Sequence, residues 1–194
     1  MGETRADLPL VEGRTCGACT ACCRALTIDE PAMQKLPGVP CVHLDADRRC
    51  GIYETRYRAC RAFHCGYRLL PWLPETMRPD QAGVLVLPPT TQEANGDGRL
   101  SAAFMILTHA ALDNEGLAQS IIAAVRAEVA VFLSVPGPPG TKATRTDLTD
   151  AVMMPALLRS RSAVLAVVRE TYERAKRVER PPVVFKSAAA PQPE

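Results

Sequence analysis

The chain has 194 residues, of which 47% are hydrophobic and 23% charged, which fits one ordinary globular domain with or without a small appendage. Its net charge of +2 and pI of about 8.1 do not by themselves indicate nucleic acid or an anionic membrane as a partner. No stretch approaches the roughly 18 consecutive apolar residues of a membrane helix, and the charged start Met1–Leu10 is unlike a secretory signal. We therefore expect a cytoplasmic protein with no membrane partner.

The N-terminal part of the chain is predicted to contain little regular structure. Residues 1–15 are expected to form a flexible arm, followed by a cysteine-rich metal-binding domain over residues 16–80. Asp29 is a candidate cap for a short helix at Glu30–Leu36. A second short helix is expected at Tyr53–Phe63.

The pattern changes in the hairpin and helical region predicted for residues 81–180. Apolar runs at Val84–Leu87 and Leu100–Leu107 flank the turn sequence Asn95–Gly98, which predicts two strands joined as a hairpin.

Helical periodicity follows the hairpin. Apolar residues at three- and four-residue spacing predict a helix from Asp113 to Leu133, ended by Pro136–Gly140. A short helix is expected at Asp147–Met153 and a longer one at Pro155–Arg177. The Pro- and Ala-rich residues 181–194 are expected to be a disordered tail.

All eight cysteines lie within the first 65 residues of the chain. Thiols used only as small core side chains would be expected to scatter, and disulfides are rare in a reducing compartment. Clustering there favours metal binding over a disulfide framework or inert core thiols. The candidate ligands are Cys16, Cys19, Cys22, Cys23, Cys41, Cys50, Cys60 and Cys65.

The first group has the spacing C-x2-C-x2-C-C, from Cys16 to Cys23. A C-x2-C turn places two sulfurs on one side of a tight loop, close enough for one tetrahedral ion or one cluster. Three cysteines at successive x2 spacing also resemble the start of a bacterial ferredoxin run. Adjacent side chains diverge, so either two sites share this segment or one of Cys22 and Cys23 is not a ligand.

The second group runs from Cys41 to Cys65 with wider spacings, none diagnostic alone. Together the two groups supply the thiols for two four-cysteine sites. A segment this short has a marginal core. A structural zinc can contribute about 10–16 kcal/mol of apparent binding free energy to folding.

These cysteines and the residues around them resemble a known family. The matching segments are Cys16–Cys23, Pro40–Asp45, Cys50–Glu54, Arg56 and Cys60–Cys65. They are similar to the CxxCxxCC cysteine-cluster proteins (YkgJ-like), described as a zinc- or iron-chelating domain and related to flagellin lysine methylase. The resemblance implies metal binding and no particular reaction.

Several side chains near the cysteines allow two interpretations. His43 and His64 are possible ligands, although loop histidines explain them more simply. The local arginines could form a nucleic-acid surface, but compensation for thiolate charge is favoured. The aromatic residues could form a base-stacking platform or a small core beneath a metal site.

The sequence therefore predicts an α+β protein in which a cysteine-rich metal-binding domain packs on a β-hairpin and C-terminal helices. Its expected partner is a zinc ion or an iron–sulfur cluster, and the sequence does not decide between them. The alternatives are an iron–sulfur enzyme of methyl-transfer or redox type, or a zinc-dependent nucleic-acid-binding protein; nucleic acid is not favoured, and no protein partner is indicated.

Overall fold

The computed structural model describes residues 4–5, 8–47, 49–88, 90–91, 100–149 and 160–186. Strands β1–β8 span Thr4–Arg5, Ile28–Glu30, Met33–Lys35, Val84–Val86, Thr90–Thr91, Leu100–Ile106, Ala130–Val135 and Thr144–Asp147. Helices α1–α6 span Ala21–Ala25, Arg58–Ala62, Gly66–Leu69, Pro79–Ala82, Glu115–Arg126 and Arg161–Lys176. Short 3-10 helices lie at Glu75–Met77 and His109–Asp113. The chain thus has the α+β character that its sequence predicts.

The central sheet is built around strand β6. Strands β4 and β5 both pair antiparallel with β6, and β7 lies along its other edge. β1 extends the sheet beyond β5, and β8 extends it beyond β7. The pairing of Val84 with Ile106 confirms the predicted hairpin partners, while the predicted turn lies outside the described residues.

The helix predicted from Asp113 to Leu133 is too long. Helix α5 ends at Arg126, and Glu128 has a left-handed φ of 58°, which turns the chain into strand β7. β7 pairs in parallel with β6, so α5 is the crossover of a β-α-β unit. The i, i+3, i+4 apolar spacing continues through β7 because that strand is buried on both faces, which hides its alternation.

The main hydrophobic core lies between the sheet and helices α5 and α6. Alternate residues of each central strand face it, including Phe104 of β6 and Leu133 of β7, both fully buried. Helix α6 confirms the predicted C-terminal helix over Arg161–Lys176, whereas residues 155–159 lie outside the described part. So does most of the short helix predicted at 147–153, whose first residue, Asp147, ends β8.

The cysteine-rich segment also differs from the predicted local structure. Residues 28–35 form a β-hairpin, β2–β3, in place of the helix expected at Glu30–Leu36. Glu30 pairs with Met33 across the two-residue turn Pro31–Ala32, so Pro31, with its fixed φ, serves a turn and not a helix start. The helix expected over Tyr53–Phe63 is limited to α2.

The cysteine-rich segment and the sheet share one core. Leu69, Leu73 and Met77, which belong to the predicted metal-binding domain, are buried in the core cluster with the sheet residues.

Residues 181–186, at the start of the predicted tail, also make ordered contacts: Val183 donates its backbone N–H to Gly140 O, and Lys186 donates its backbone N–H to the Asp29 carboxylate.

Residues 8–15 belong to the predicted flexible arm, yet they lie against helix α3. Arg14 is 8% exposed, and Val11 donates its backbone N–H to Arg68 O at 2.8 Å. The Arg14 guanidinium donates to three carbonyl oxygens, those of Tyr67, Leu70 and Leu73, at 2.8, 3.0 and 2.5 Å. This clamp fixes the chain immediately before the first cysteine.

Within the described ranges, no helix combines the length and the apolar character needed to cross a lipid bilayer.

Candidate metal centre

The first cysteine group occupies a tight turn and the short helix that follows it. Cys19 donates its backbone N–H to Cys16 O at 2.9 Å, closing the turn. Gly17 has a φ of 51°, a left-handed conformation that glycine adopts without a Cβ clash. Cys22 and Cys23 are successive residues of α1.

The second cysteine group is joined to the first by a backbone hydrogen bond. Cys41 donates its N–H to Cys23 O at 3.0 Å. A turn from Cys41 to Leu44 then leads to an isolated bridge between Leu44 and Cys50. Cys60 lies on α2, and Cys65 directly precedes α3. The fold therefore brings together two groups that are separated in sequence.

Seven of the eight cysteines line a single cavity of about 200 Å³. Cys65 is not among the lining residues, although it is close enough to Cys16 and Cys19 for their charges to interact. All eight thiols are free and partly buried. The rest of the wall includes Ile28, His43, Ile52, Tyr53, Arg56, Tyr57 and Phe63.

The thiols share this cavity without forming a ready coordination shell. Across the described residues, which include every cysteine, no group of three or more His, Cys, Asp or Glu side chains is arranged to hold a metal ion. The donors are concentrated, but their sulfur atoms would have to move to surround an ion.

Cys22 and Cys23 are linked by a hydrogen bond between their side chains. This bond lowers the pKa of Cys23 to about 7 and raises that of Cys22, since one sulfur of the pair holds the proton that the other accepts. The positive charges of Lys35, Arg56 and Arg24 also lower the pKa of Cys23. Thiolate character within the pair is thus concentrated on Cys23.

Burial has the opposite effect on other thiols. It raises the pKa of Cys19 to about 11, although backbone N–H groups of Ala21 and Asp80 partly offset the shift. Burial also raises the pKa values of Cys60 and Cys65. A metal that replaces these thiol protons would have to compensate for the unfavourable burial of thiolate charge.

Lys35 is a buried cation that the sequence interpretation missed. It is 4% exposed, and its Nζ donates to Val39 O at 2.8 Å and Leu36 O at 3.1 Å. Burial lowers the pKa of Lys35, while the neighbouring Cys41 and other thiols act to raise it. Its signal in the sequence is the two-residue spacing from buried Met33, which is recognisable only if β3 is assigned as a strand.

The histidines occupy different surroundings. His43 lines the cavity, with Nε2 3.2 Å from the Tyr57 hydroxyl. The Nδ1 atom of His64 is 3.4 Å from an Arg68 nitrogen, and His64 is not a lining residue. His109 lies far along the chain near Glu173.

Two arginines near the cavity are held by contacts with the local backbone. Arg56 lies over the Tyr53 ring, 3.7 Å from its centroid, and donates to Tyr53 O at 2.7 Å. Arg61 donates to Arg56 O at 2.7 Å. The positive charge of Arg56 also acts to lower the pKa values of Cys23 and Cys60.

No protein-family model, curated protein or solved structure matches this chain.

Proposed function

We propose that this protein binds metal, as zinc or an iron–sulfur cluster, through its clustered cysteines. The observation that carries the proposal is the lining of one cavity by seven free cysteines from two separate stretches of chain. Thiolates are the preferred protein ligands of zinc and of iron–sulfur clusters. The proposal includes a reducing compartment, since oxidation of the thiols would remove these ligands.

The charges around the cavity suit a thiolate site. Four thiolates on one Zn²⁺ leave a net charge of −2, which nearby cations can offset. Lys35, Arg24 and Arg56 supply positive charge beside Cys23. The burial of Lys35 supports this role, because a buried ammonium is stabilised by negative charge close to it.

The lack of a preformed coordination shell is compatible with a site completed by its metal. Binding of a metal draws ligands together, and its binding free energy then contributes to folding. More thiols line the cavity than one tetrahedral ion can use, so the lining supports two zinc ions or a larger cluster.

The test is elemental analysis with a visible absorption spectrum on anaerobically purified full-length protein. We expect either tightly bound zinc in a colourless protein, or iron with sulfide and a cluster absorption band. Cys41→Ser/Cys50→Ser should reduce metal content, whereas Thr144→Ser on β8 should not. Colourless wild-type protein without zinc or iron would refute the proposal.

A second function, an iron–sulfur enzyme of redox or methyl-transfer type, is favoured by one observation. The cavity wall places His43, Tyr53 and Tyr57 beside the thiols, so polar side chains and a donor set face a shared space. Stoichiometric iron and sulfide, with loss of activity in Cys22→Ala, would support this function. Tightly bound zinc in a colourless protein would contradict it.

A further inference from the structure

The adjacent residues Cys22 and Cys23 limit how the eight thiols can be divided between metal sites. Successive helix positions are about 100° apart around the axis, so their side chains leave α1 in different directions. Their side chains still hydrogen-bond to each other. If Cys22 belongs to one metal site and Cys23 to another, the two sites are therefore adjacent.

Hydrogen bonds from the Arg14 side chain place Cys65 near the first cysteines. The Arg14 clamp joins the residues just before Cys16 to those just after Cys65, because Arg14 donates to Tyr67 O at 2.8 Å. The turn from Cys16 to Cys19 then holds Cys19 close to Cys16.

The thiols themselves are near neighbours. Cys65 lies close enough to Cys16 and Cys19 for their charges to interact, and Cys22 lies close enough to Cys16, Cys19 and Cys23. Because Cys22 continues the x2 spacing from Cys19, we group it with Cys16, Cys19 and Cys65.

Different contacts place the remaining thiols around Cys23. The N–H of Cys41 is bonded to Cys23 O, and the turn and bridge at Leu44 connect Cys41 to Cys50. Cys60, on α2, lies close enough to Cys23, Cys41 and Cys50 for their charges to interact.

The two sets also differ in their stabilising groups. Lys35, Arg56 and Arg24 place positive charge at Cys23. In the other set, backbone N–H groups stabilise the thiolate forms of Cys19 and Cys65, Arg78 is the cation close to Cys19, and Asp80 adds negative charge there.

We propose that the eight cysteines form two four-thiolate metal sites that meet at the Cys22–Cys23 peptide. The N-terminal site consists of Cys16, Cys19, Cys22 and Cys65, and the lysine-side site consists of Cys23, Cys41, Cys50 and Cys60. This inference rests on the proposed metal-binding function. Each site supplies the four soft ligands that a tetrahedral Zn²⁺ or one cluster requires.

The test is thiol alkylation of the wild-type chain after titration with zinc alone. Apo protein is reduced, given increasing zinc under anaerobic conditions and treated with iodoacetamide, and the protected cysteines are identified by tandem mass spectrometry. We expect protection in two groups of four, with Cys65 protected together with Cys16 and Cys60 together with Cys41. Protection in mixed groups, or of all eight thiols in one step, would overturn the division.

Variants give an independent measurement. Cys65→Ser and Cys60→Ser should each lose one of two bound zinc ions, and the double variant should lose both. Cys16→Ser/Cys65→Ser should lose no more zinc than Cys65→Ser alone, because both thiols belong to one site. Ala62→Ser, an exposed change on α2, is the matched control and should keep both ions.

The outcomes separate the two proposals. Wild-type protein that binds no zinc and no iron fails the proposed function. A different result would contradict only the division into two sites. In that case the wild type binds metal, but Cys65→Ser or Cys60→Ser loses all of it while keeping its far-UV circular dichroism.

Discussion

The backbone N–H of Cys41 donates a hydrogen bond to the carbonyl oxygen of Cys23 at 3.0 Å. This bond joins the compact first cysteine motif to the widely spaced second group. It places Cys41 close to Cys23, two of the thiols that we assign to the lysine-side site.

Lys35→Met is expected to weaken metal binding at the lysine-side site. The substitution keeps an apolar stem but removes the buried ammonium near Cys23 and Cys41. Loss of such a supporting group typically costs 10–100-fold in affinity, and we expect about tenfold. Chelator competition measures the change, and exposed Lys142→Met should leave affinity unaltered.

Arg14→Ala is expected to lower the free energy of unfolding by about 3 kcal/mol. It leaves buried carbonyl oxygens at Tyr67, Leu70 and Leu73 without their charged donor. Urea denaturation measures the loss. Arg126→Ala, at an exposed position in the last turn of α5, should change stability by less than about 0.5 kcal/mol. Equal effects of the two variants would contradict the clamp.

The Glu75 carboxylate is expected to make stability fall at acid pH. The hydrogen bond from the Tyr67 hydroxyl, followed by that from Arg14, lowers the Glu75 pKa. Its contribution is therefore fully present above the unfolded pKa of about 4.3 and is lost as pH falls through the lower folded pKa. In urea titrations at several pH values, Glu75→Gln should reduce the fall in unfolding free energy at acid pH. An unchanged fall would exclude Glu75 as its source.

Gly66→Ala tests the contact that seats helix α3 on strand β4. A Cβ at Gly66 would lie 2.5 Å from Val86 Cγ1, closer than packed atoms permit. We expect a loss of about 1–3 kcal/mol in unfolding free energy. Gly51→Ala is the control, because its Cβ would meet His43 O at an ordinary 3.5 Å.

Asn114→Ala is expected to cost about 1 kcal/mol by removing the cap of helix α5. The Asn114 side chain accepts a hydrogen bond from Gly116 N at 2.8 Å. Chemical denaturation should detect the loss, while Gln119→Ala on the exposed face of α5 should have little effect. Equal stability of Asn114→Ala and the wild type would show that the cap contributes nothing.

The predictability of the fold varies with the kind of signal. The partners β4 and β6 could be predicted, because apolar runs bounded by turn residues are a local pattern. Strand β7 could not be distinguished from helix by periodicity, because it is buried on both faces and continues the apolar spacing of α5. The left-handed Glu128 that separates them has no clear mark in the sequence.

In the candidate site, too, local patterns could be predicted and long-range contacts could not. The clustering of the cysteines is visible in the sequence, whereas the hydrogen bond between the Cys22 and Cys23 side chains is not. The association of Cys65 with Cys16 is also not visible there, because it depends on long-range hydrogen bonds from Arg14 to the carbonyl oxygens of Tyr67, in α3, and Leu70, just after it. The burial of Lys35 could not be predicted for a similar reason, since it follows from the β2–β3 hairpin.

X-ray absorption spectroscopy at the bound metal's edge tests the central claim most directly. The account predicts a first shell made of sulfur, with about four zinc–sulfur distances near 2.3 Å if the metal is zinc, or iron–sulfur scattering if it is a cluster. A first shell of oxygen or nitrogen at about 2.0–2.1 Å, or protein without bound metal, would contradict it.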